Sequence, residues 1–220
     1  MRWNIPNTLT LFRLLAAPAV AVMFLYFTRP YADWFALLLF VGAALTDWID
    51  GYLARAWKQE SKFGAMLDPI ADKAMVVIAL AVITALSGMN PWILLPATVI
   101  LFREVFVSGL REFLGDTAGT LKVTKLAKWK TTAQMVAIAL LFAQGVFEHY
   151  FGMQTFGMDD AIVGSILAGE TPDQFGIIWK YQGMIGSYYG GVVLLWLAAA
   201  LTFVTGVDYL LKAMPHLRED

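Results

Sequence analysis

The chain has no cysteine, only two histidines, and few charged residues for its length. Without cysteine there are no disulfides, no thiolate-bound zinc and no thiol nucleophile. His149 and His216 lie far apart and outside every long apolar run, so neither a histidine metal site nor a Ser/His relay is expected. Any metal must be bound by oxygen, which favours magnesium, manganese or calcium. Charged residues make up 15% of the 220, against about 25% in an ordinary soluble domain. The apolar 59% comes in long blocks, and that layout points to lipid as the solvent.

A spanning helix needs about 20 mostly apolar residues, and six such stretches can be read: Leu9 to Phe27, Trp34 to Leu53, Met66 to Leu86, Trp92 to Leu110, Thr131 to Phe147 and Met184 to Leu211. The expected fold is therefore all-α, a polytopic membrane protein with six transmembrane helices and a short N-terminal interfacial segment. Residues 1–220 are treated as one membrane domain, since no internal repeat or low-complexity segment is evident. Turn signals follow the spans: Arg29-Pro30, then Ser87-Gly88-Met89-Asn90-Pro91, then Gly115 and Gly119. Glu148 to Gln182 is the longest gap, with five acids and one lysine, and is expected to be an outward loop containing short helices. Ala19-Val20-Ala21 resembles a cleavage site, but the apolar run continues to Phe27, so a retained helix is the better reading.

Six spans put both termini on one side. If that side is cytoplasmic, it carries fourteen of the sixteen Lys and Arg residues, and only Arg29 and Lys180 lie outside. This positive-inside bias orients the chain. No nucleic-acid partner is expected.

Four acids need an explanation: Asp47, Asp50, Asp68 and Asp72, near the facing ends of the second and third spans. A carboxylate at a helix centre costs about 2.5–3.5 kcal/mol in lipid, and less near the interface. Asp47 and Asp50 are three apart and Asp68 and Asp72 four apart, so each pair shares a helix face. The connection between the two spans is short, so they run antiparallel and bring both pairs to the same membrane surface. Four carboxylates at close range repel, and one or two divalent cations relieve that repulsion. Gly51 and Ala54 share the Asp47/Asp50 face, and Gly64 lies one turn before Asp68, which leaves room for a ligand or for close helix packing. Arg55 adds a fork of donors suited to phosphate. The competing structural reading treats these aspartates as solvated helix caps, with Asp68-Pro69 as a helix start. A divalent-cation transporter would also use intramembrane acids, but at midplane or at both mouths rather than gathered at one face beside Arg55.

The pattern D-x2-D-G-x2-A-R-x8-G-x3-D-x3-D resembles the signature of the CDP-alcohol phosphotransferase family, with all eight fixed positions matched: Asp47, Asp50, Gly51, Ala54, Arg55, Gly64, Asp68 and Asp72. The resemblance implies a six-helix membrane enzyme, a homodimer, with a polar cavity open to the cytoplasm. It implies that Asp47, Asp50, Asp68 and Asp72 bind Mg2+ or Mn2+, as two ions. Asp72 would also be the general base, and Gly51, Ala54, Arg55 and Gly64 would border the CDP moiety. The implied location is the bacterial inner membrane, with the active site and both termini cytoplasmic.

Further stretches are similar to the bacterial phosphatidylglycerophosphate-forming branch of that family. They are Asn4 to Arg13, Asp47 to Gly51, Phe63 to Pro69, Arg103 to Glu112 and Lys128 to Met135. The implied substrates are CDP-diacylglycerol and glycerol 3-phosphate, the implied product phosphatidylglycerophosphate. The alternatives are the same chemistry on inositol phosphate, serine or phosphatidylglycerol. Ala127 where a glycine is expected, and the long outward loop, depart from that branch. A phosphorylated acceptor also suits Arg103, Arg111, Lys128 and Lys130, which would hold its phosphate. Lys122 and Lys125 read as ordinary positive-inside residues. Arg103 and Glu104 are helix neighbours and are not expected to pair.

Overall fold

In a computed structural model, residues 5–57, 61–115 and 126–217 are described, the side chains of 5, 6, 47–57 and 126–128 excepted. Among the described residues seven α-helices follow one another: α1 (Ile5–Tyr26), α2 (Tyr31–Trp57), α3 (Lys62–Leu86), α4 (Pro91–Leu114), α5 (Leu126–Thr155), α6 (Asp160–Leu167) and α7 (Ile177–Ala213). No strand occurs among the described residues. Among the described residues five helices are long and apolar enough to cross a membrane, and in α2 the apolar part Tyr31–Thr46 is shorter. The 27 residues of α2 nevertheless measure about 40 Å, more than a hydrocarbon core of about 30 Å. The chain is a polytopic all-α membrane protein. Among the described residues α1 begins at Ile5, and the expected N-terminal interfacial segment before it lies outside them.

Turn chemistry sets the boundaries. Gly88 and Met89 take positive φ, and Asn90 then caps α4 by accepting from the Trp92 N–H at 3.0 Å, with Pro91 in the first helical position. Gly115 ends α4 with φ 52°. Ser61 starts α3, its hydroxyl accepting from the Gly64 N–H at 3.0 Å. Pro69 therefore lies inside α3 rather than at its start, and the reading of Asp68 as a helix cap is excluded. Gly119, Lys122 and Lys125 lie outside the described residues.

Backbone contacts group the chain into two compact units, one of residues 1–79 and 139–191, the other of 80–138 and 192–220. In the first, α1 and α2 pack through alanines, with Ala16, Ala17, Ala32, Ala36 and Ala43 all buried. Small side chains allow this close approach where apolar burial alone cannot drive association. Phe142 of α5 closes that core against Phe24 and Phe40. The expected 148–182 loop is shorter than anticipated, since α5 runs to Thr155 and α7 begins at Ile177. Partners for its polar residues explain the extension: Glu148 pairs with Arg29 at 3.6 Å, and the Tyr150 hydroxyl accepts from Trp34. The short helix expected in the gap is α6, capped by Asp159. In the second unit, α4 and α7 run parallel. Trp92 meets Trp196, Arg103 crosses Gly206, and Arg111 covers Tyr209.

Candidate active site

Two helices of the first unit carry the acids. Asp47 and Asp50 lie seven to ten residues before the end of α2, and Asp68 and Asp72 six to ten residues after the start of α3. At 1.5 Å per residue both pairs sit about 9 to 15 Å along their helices from the α2–α3 connection. The side chains of Asp47, Asp50, Gly51, Ala54 and Arg55 lie outside those the structure describes.

Asp68 and Asp72 are brought together by a residue of α1. The Arg13 guanidinium donates through Nη1 to Asp72 Oδ1 at 2.8 Å and through Nη2 to Asp68 Oδ1 at 3.3 Å. One turn earlier on α1, the Thr10 hydroxyl donates to the same Asp68 oxygen at 2.7 Å. Another turn earlier, Asn7 Oδ1 accepts from the Ser61 hydroxyl at 2.7 Å, the group that caps α3. The partner numbers rise together on the two helices, so α1 and α3 run parallel, in register.

The polar face Asn7, Thr10 and Arg13 is buried, although it belongs to an apolar spanning helix. Sequence reasoning noted these residues only within a motif resemblance and counted Arg13 as an inside charge. Their spacing of three was the available signal, since three polar groups on one face of a span require partners there.

The donor set fits a divalent cation. Asp68 and Asp72 offer hard oxygen ligands on side chains that are 47% and 54% exposed, open to an incoming ion. Two carboxylates against one guanidinium leave a net negative charge, and the neighbouring helix carries two further acids. Among the described residues no cluster of three or more potential ligands occurs; the side chains of Asp47 and Asp50 are not among those described. Gly64 also has a packing reason to be glycine: a Cβ there would stand 2.9 Å from Asn7 Oδ1.

The expected acceptor residues lie in the second unit. Arg103 and Lys130 meet at one carboxylate: Glu104 Oε1 accepts from Arg103 Nη1 at 3.2 Å and from the Lys130 ammonium. This corrects the expectation that Arg103 and Glu104 do not pair. Adjacent helical positions diverge at Cβ, but the long arginine arm folds back to a carboxylate that Lys130 of α5 also reaches. Glu104 is mostly buried, and two cations compensate its desolvation. The Arg103 stem lines an apolar cleft of about 380 Å³ between α4 and α7, with Phe102, Phe106 and Phe203. Arg111 is exposed and lies over the Tyr209 ring at 5.4 Å. The Lys128 side chain is outside the described residues.

A sequence model of the CDP-alcohol phosphatidyltransferase family matches residues 3–168, three quarters of the chain and the whole acidic constellation. The chain belongs to the CDP-alcohol phosphatidyltransferase family. Among the similar family members is a protein of Cereibacter sphaeroides named CDP-diacylglycerol–glycerol-3-phosphate 3-phosphatidyltransferase, 64% identical over the full length of both chains. Proteins of the same name from Salmonella choleraesuis and Shigella flexneri are 42% identical over 159 residues, covering 71% of this chain and 86% of theirs. As a CDP-alcohol phosphatidyltransferase, the chain carries the eight-residue signature without a substitution.

Proposed function

We propose that this chain transfers the phosphatidyl group of CDP-diacylglycerol to the primary hydroxyl of glycerol 3-phosphate, releasing CMP and forming phosphatidylglycerophosphate. The observation that carries this reading is the Asp68/Asp72 pair, fixed side by side on a membrane-crossing helix within an intact family signature. The name of its full-length relative supports the choice of acceptor.

The lipid's acyl chains stay in the bilayer while its pyrophosphate reaches the acids. One or two Mg2+ or Mn2+ ions, held by Asp47, Asp50, Asp68 and Asp72, would supply charge neutralisation at the pyrophosphate and at departing CMP. Gly51, Ala54, Arg55 and Gly64 border the nucleotide, with Arg55 as a phosphate fork. Asp72 accepts the proton of the attacking hydroxyl. That oxygen forms its bond to the phosphorus bearing diacylglycerol, and the bond to CMP breaks with the electron pair leaving on CMP. An in-line displacement of this kind requires no covalent enzyme intermediate.

The acceptor's phosphate is assigned to Arg103, Arg111, Lys128 and Lys130. Arg103 and Lys130 together exceed the charge of Glu104, so that cluster keeps a net positive charge for an anion. Both termini and the site lie on the cytoplasmic side of a bacterial inner membrane, in keeping with the lysine and arginine bias. The working form is a homodimer.

An acceptor panel tests this reading. Purified chain with CDP-diacylglycerol and magnesium or manganese should release CMP with glycerol 3-phosphate, and far less with inositol phosphate, serine or phosphatidylglycerol. No response to glycerol 3-phosphate refutes the acceptor assignment. In the same assay Asp72→Asn should lose 10²-fold or more of the rate, as expected for general-base catalysis. A near wild-type rate removes Asp72 from that role.

A further inference from the structure

We propose that Arg13 is the positioning residue of the acidic pair, orienting Asp68 and Asp72 from α1 with Thr10 as its companion. The inference rests on the reading that these aspartates bind the metal, and it adds a requirement outside the family signature.

Burial is the first argument. The Arg13 side chain is 3% exposed, among the buried Ala16, Ala17 and Val20 of an apolar helix. A guanidinium in that setting is costly unless its partners are fixed and well hydrogen-bonded. The carboxylates it holds are about half exposed. A buried orienting group behind open ligands is the arrangement of an outer shell around a metal site.

Geometry is the second. The two Nη atoms go to different carboxylates, one helical turn apart on α3. A planar fork that spans two acceptors fixes their separation and their rotation, which a single ammonium cannot do. Thr10 supports the same end of the fork, because its hydroxyl and Arg13 Nη2 share Asp68 Oδ1. Asn7 sets the start of α3 through Ser61. Three residues of one α1 face thus fix the position of α3 and the orientation of its acids.

A purely electrostatic role predicts the opposite sign for ion binding. A guanidinium beside the ligands repels a cation, so its neutralisation would tighten metal affinity. A positioning role predicts that affinity falls even when the charge is kept. The test uses the full chain in nanodiscs, with Mn2+ binding followed by electron paramagnetic resonance and folding followed by thermal unfolding. Arg13→Lys and Arg13→Gln should each weaken Mn2+ binding by about 10–100-fold, and Thr10→Val by less. In activity, Arg13→Lys should lower kcat and leave the KM for glycerol 3-phosphate unchanged.

Wild-type Mn2+ affinity in a folded Arg13→Lys variant, or tighter binding by Arg13→Gln, overturns the proposal. Should Arg13→Gln fail to fold, Arg13→Lys and Thr10→Val decide alone. Asp68→Asn separates the two readings. Weakened binding there with unchanged Arg13→Lys sinks the positioning role only, whereas unchanged binding in Asp68→Asn sinks the metal assignment and this inference with it.

Discussion

Replacing Gly64 with alanine separates two reasons for a glycine in the family signature. The added Cβ would stand 2.9 Å from Asn7 Oδ1 and 3.3 Å from Ser61 Oγ. Neither oxygen can move away freely. Asn7 is buried and accepts from Ser61 at 2.7 Å, while Ser61 accepts from the Gly64 N–H at 3.0 Å. Relief of the contact therefore distorts the link that joins α1 to the start of α3. Overpacking of this kind costs about 1–3 kcal/mol. Alanine's better helix propensity returns about 0.5–1 kcal/mol, so the mid-range net loss is about 1 kcal/mol. For a chain of this size that lowers the unfolding midpoint by roughly 2–4 °C per kcal/mol. The assay is thermal unfolding of wild type, Gly64→Ala, Asn7→Ala and the double variant, with kcat/KM for CDP-diacylglycerol measured on each. In the Asn7→Ala background the stability penalty of Gly64→Ala should vanish, because the clashing oxygen is gone. If the double variant regains stability but keeps a raised KM for the lipid, the glycine also borders the nucleotide. An unchanged midpoint in Gly64→Ala, or an equal drop in both backgrounds, refutes the packing argument.

Two further expectations concern other parts of the molecule. Glu104→Gln leaves Arg103 and Lys130 with a neutral partner, and it should destabilise the fold by about 3–5 kcal/mol, the range for breaking a buried ion pair from one side; an unchanged unfolding midpoint contradicts the pairing. Asp173 caps α7 by accepting from the Ile177 and Ile178 N–H groups at 2.8 and 3.0 Å, and these bonds hold its carboxyl below the ordinary value. The unfolded chain thus binds the proton more tightly, so the stabilisation is complete above the ordinary carboxyl value of about 3.9 and fades as pH falls below it. Wild type should then exceed Asp173→Ala in stability at pH 7, and the gap should narrow toward pH 3. A gap that widens on acidification would show the sign to be wrong.

Much of the architecture could be read from local features. Spans follow from length and apolarity, and the α3–α4 turn from Gly88, Asn90 and Pro91, each with its own backbone reason. The paired spacing of Asp68 and Asp72 placed both on one face of α3. What escaped the reading depended on partners distant in sequence. Glu148 and Tyr150 looked like loop residues until Arg29 and Trp34 supplied contacts that keep α5 helical. The Arg103–Glu104 pair defied a sound helical rule because the arginine arm is long and Lys130 arrives from another helix. Arg13 looked like one inside charge among fourteen, and nothing near it in sequence announces that its partners are on α3.

The register between α1 and α3 bears on how the protein is made. Arg13 is synthesised 55 residues ahead of Asp68, a lag of about 3 to 11 s at 5–20 residues per second. During that interval the leading helix holds a cation whose counter-ions do not yet exist, and bare lipid is a poor host for it. The salt bridges of the first helix are therefore completed only when the third arrives, so the polar contacts that align the acids form late in synthesis.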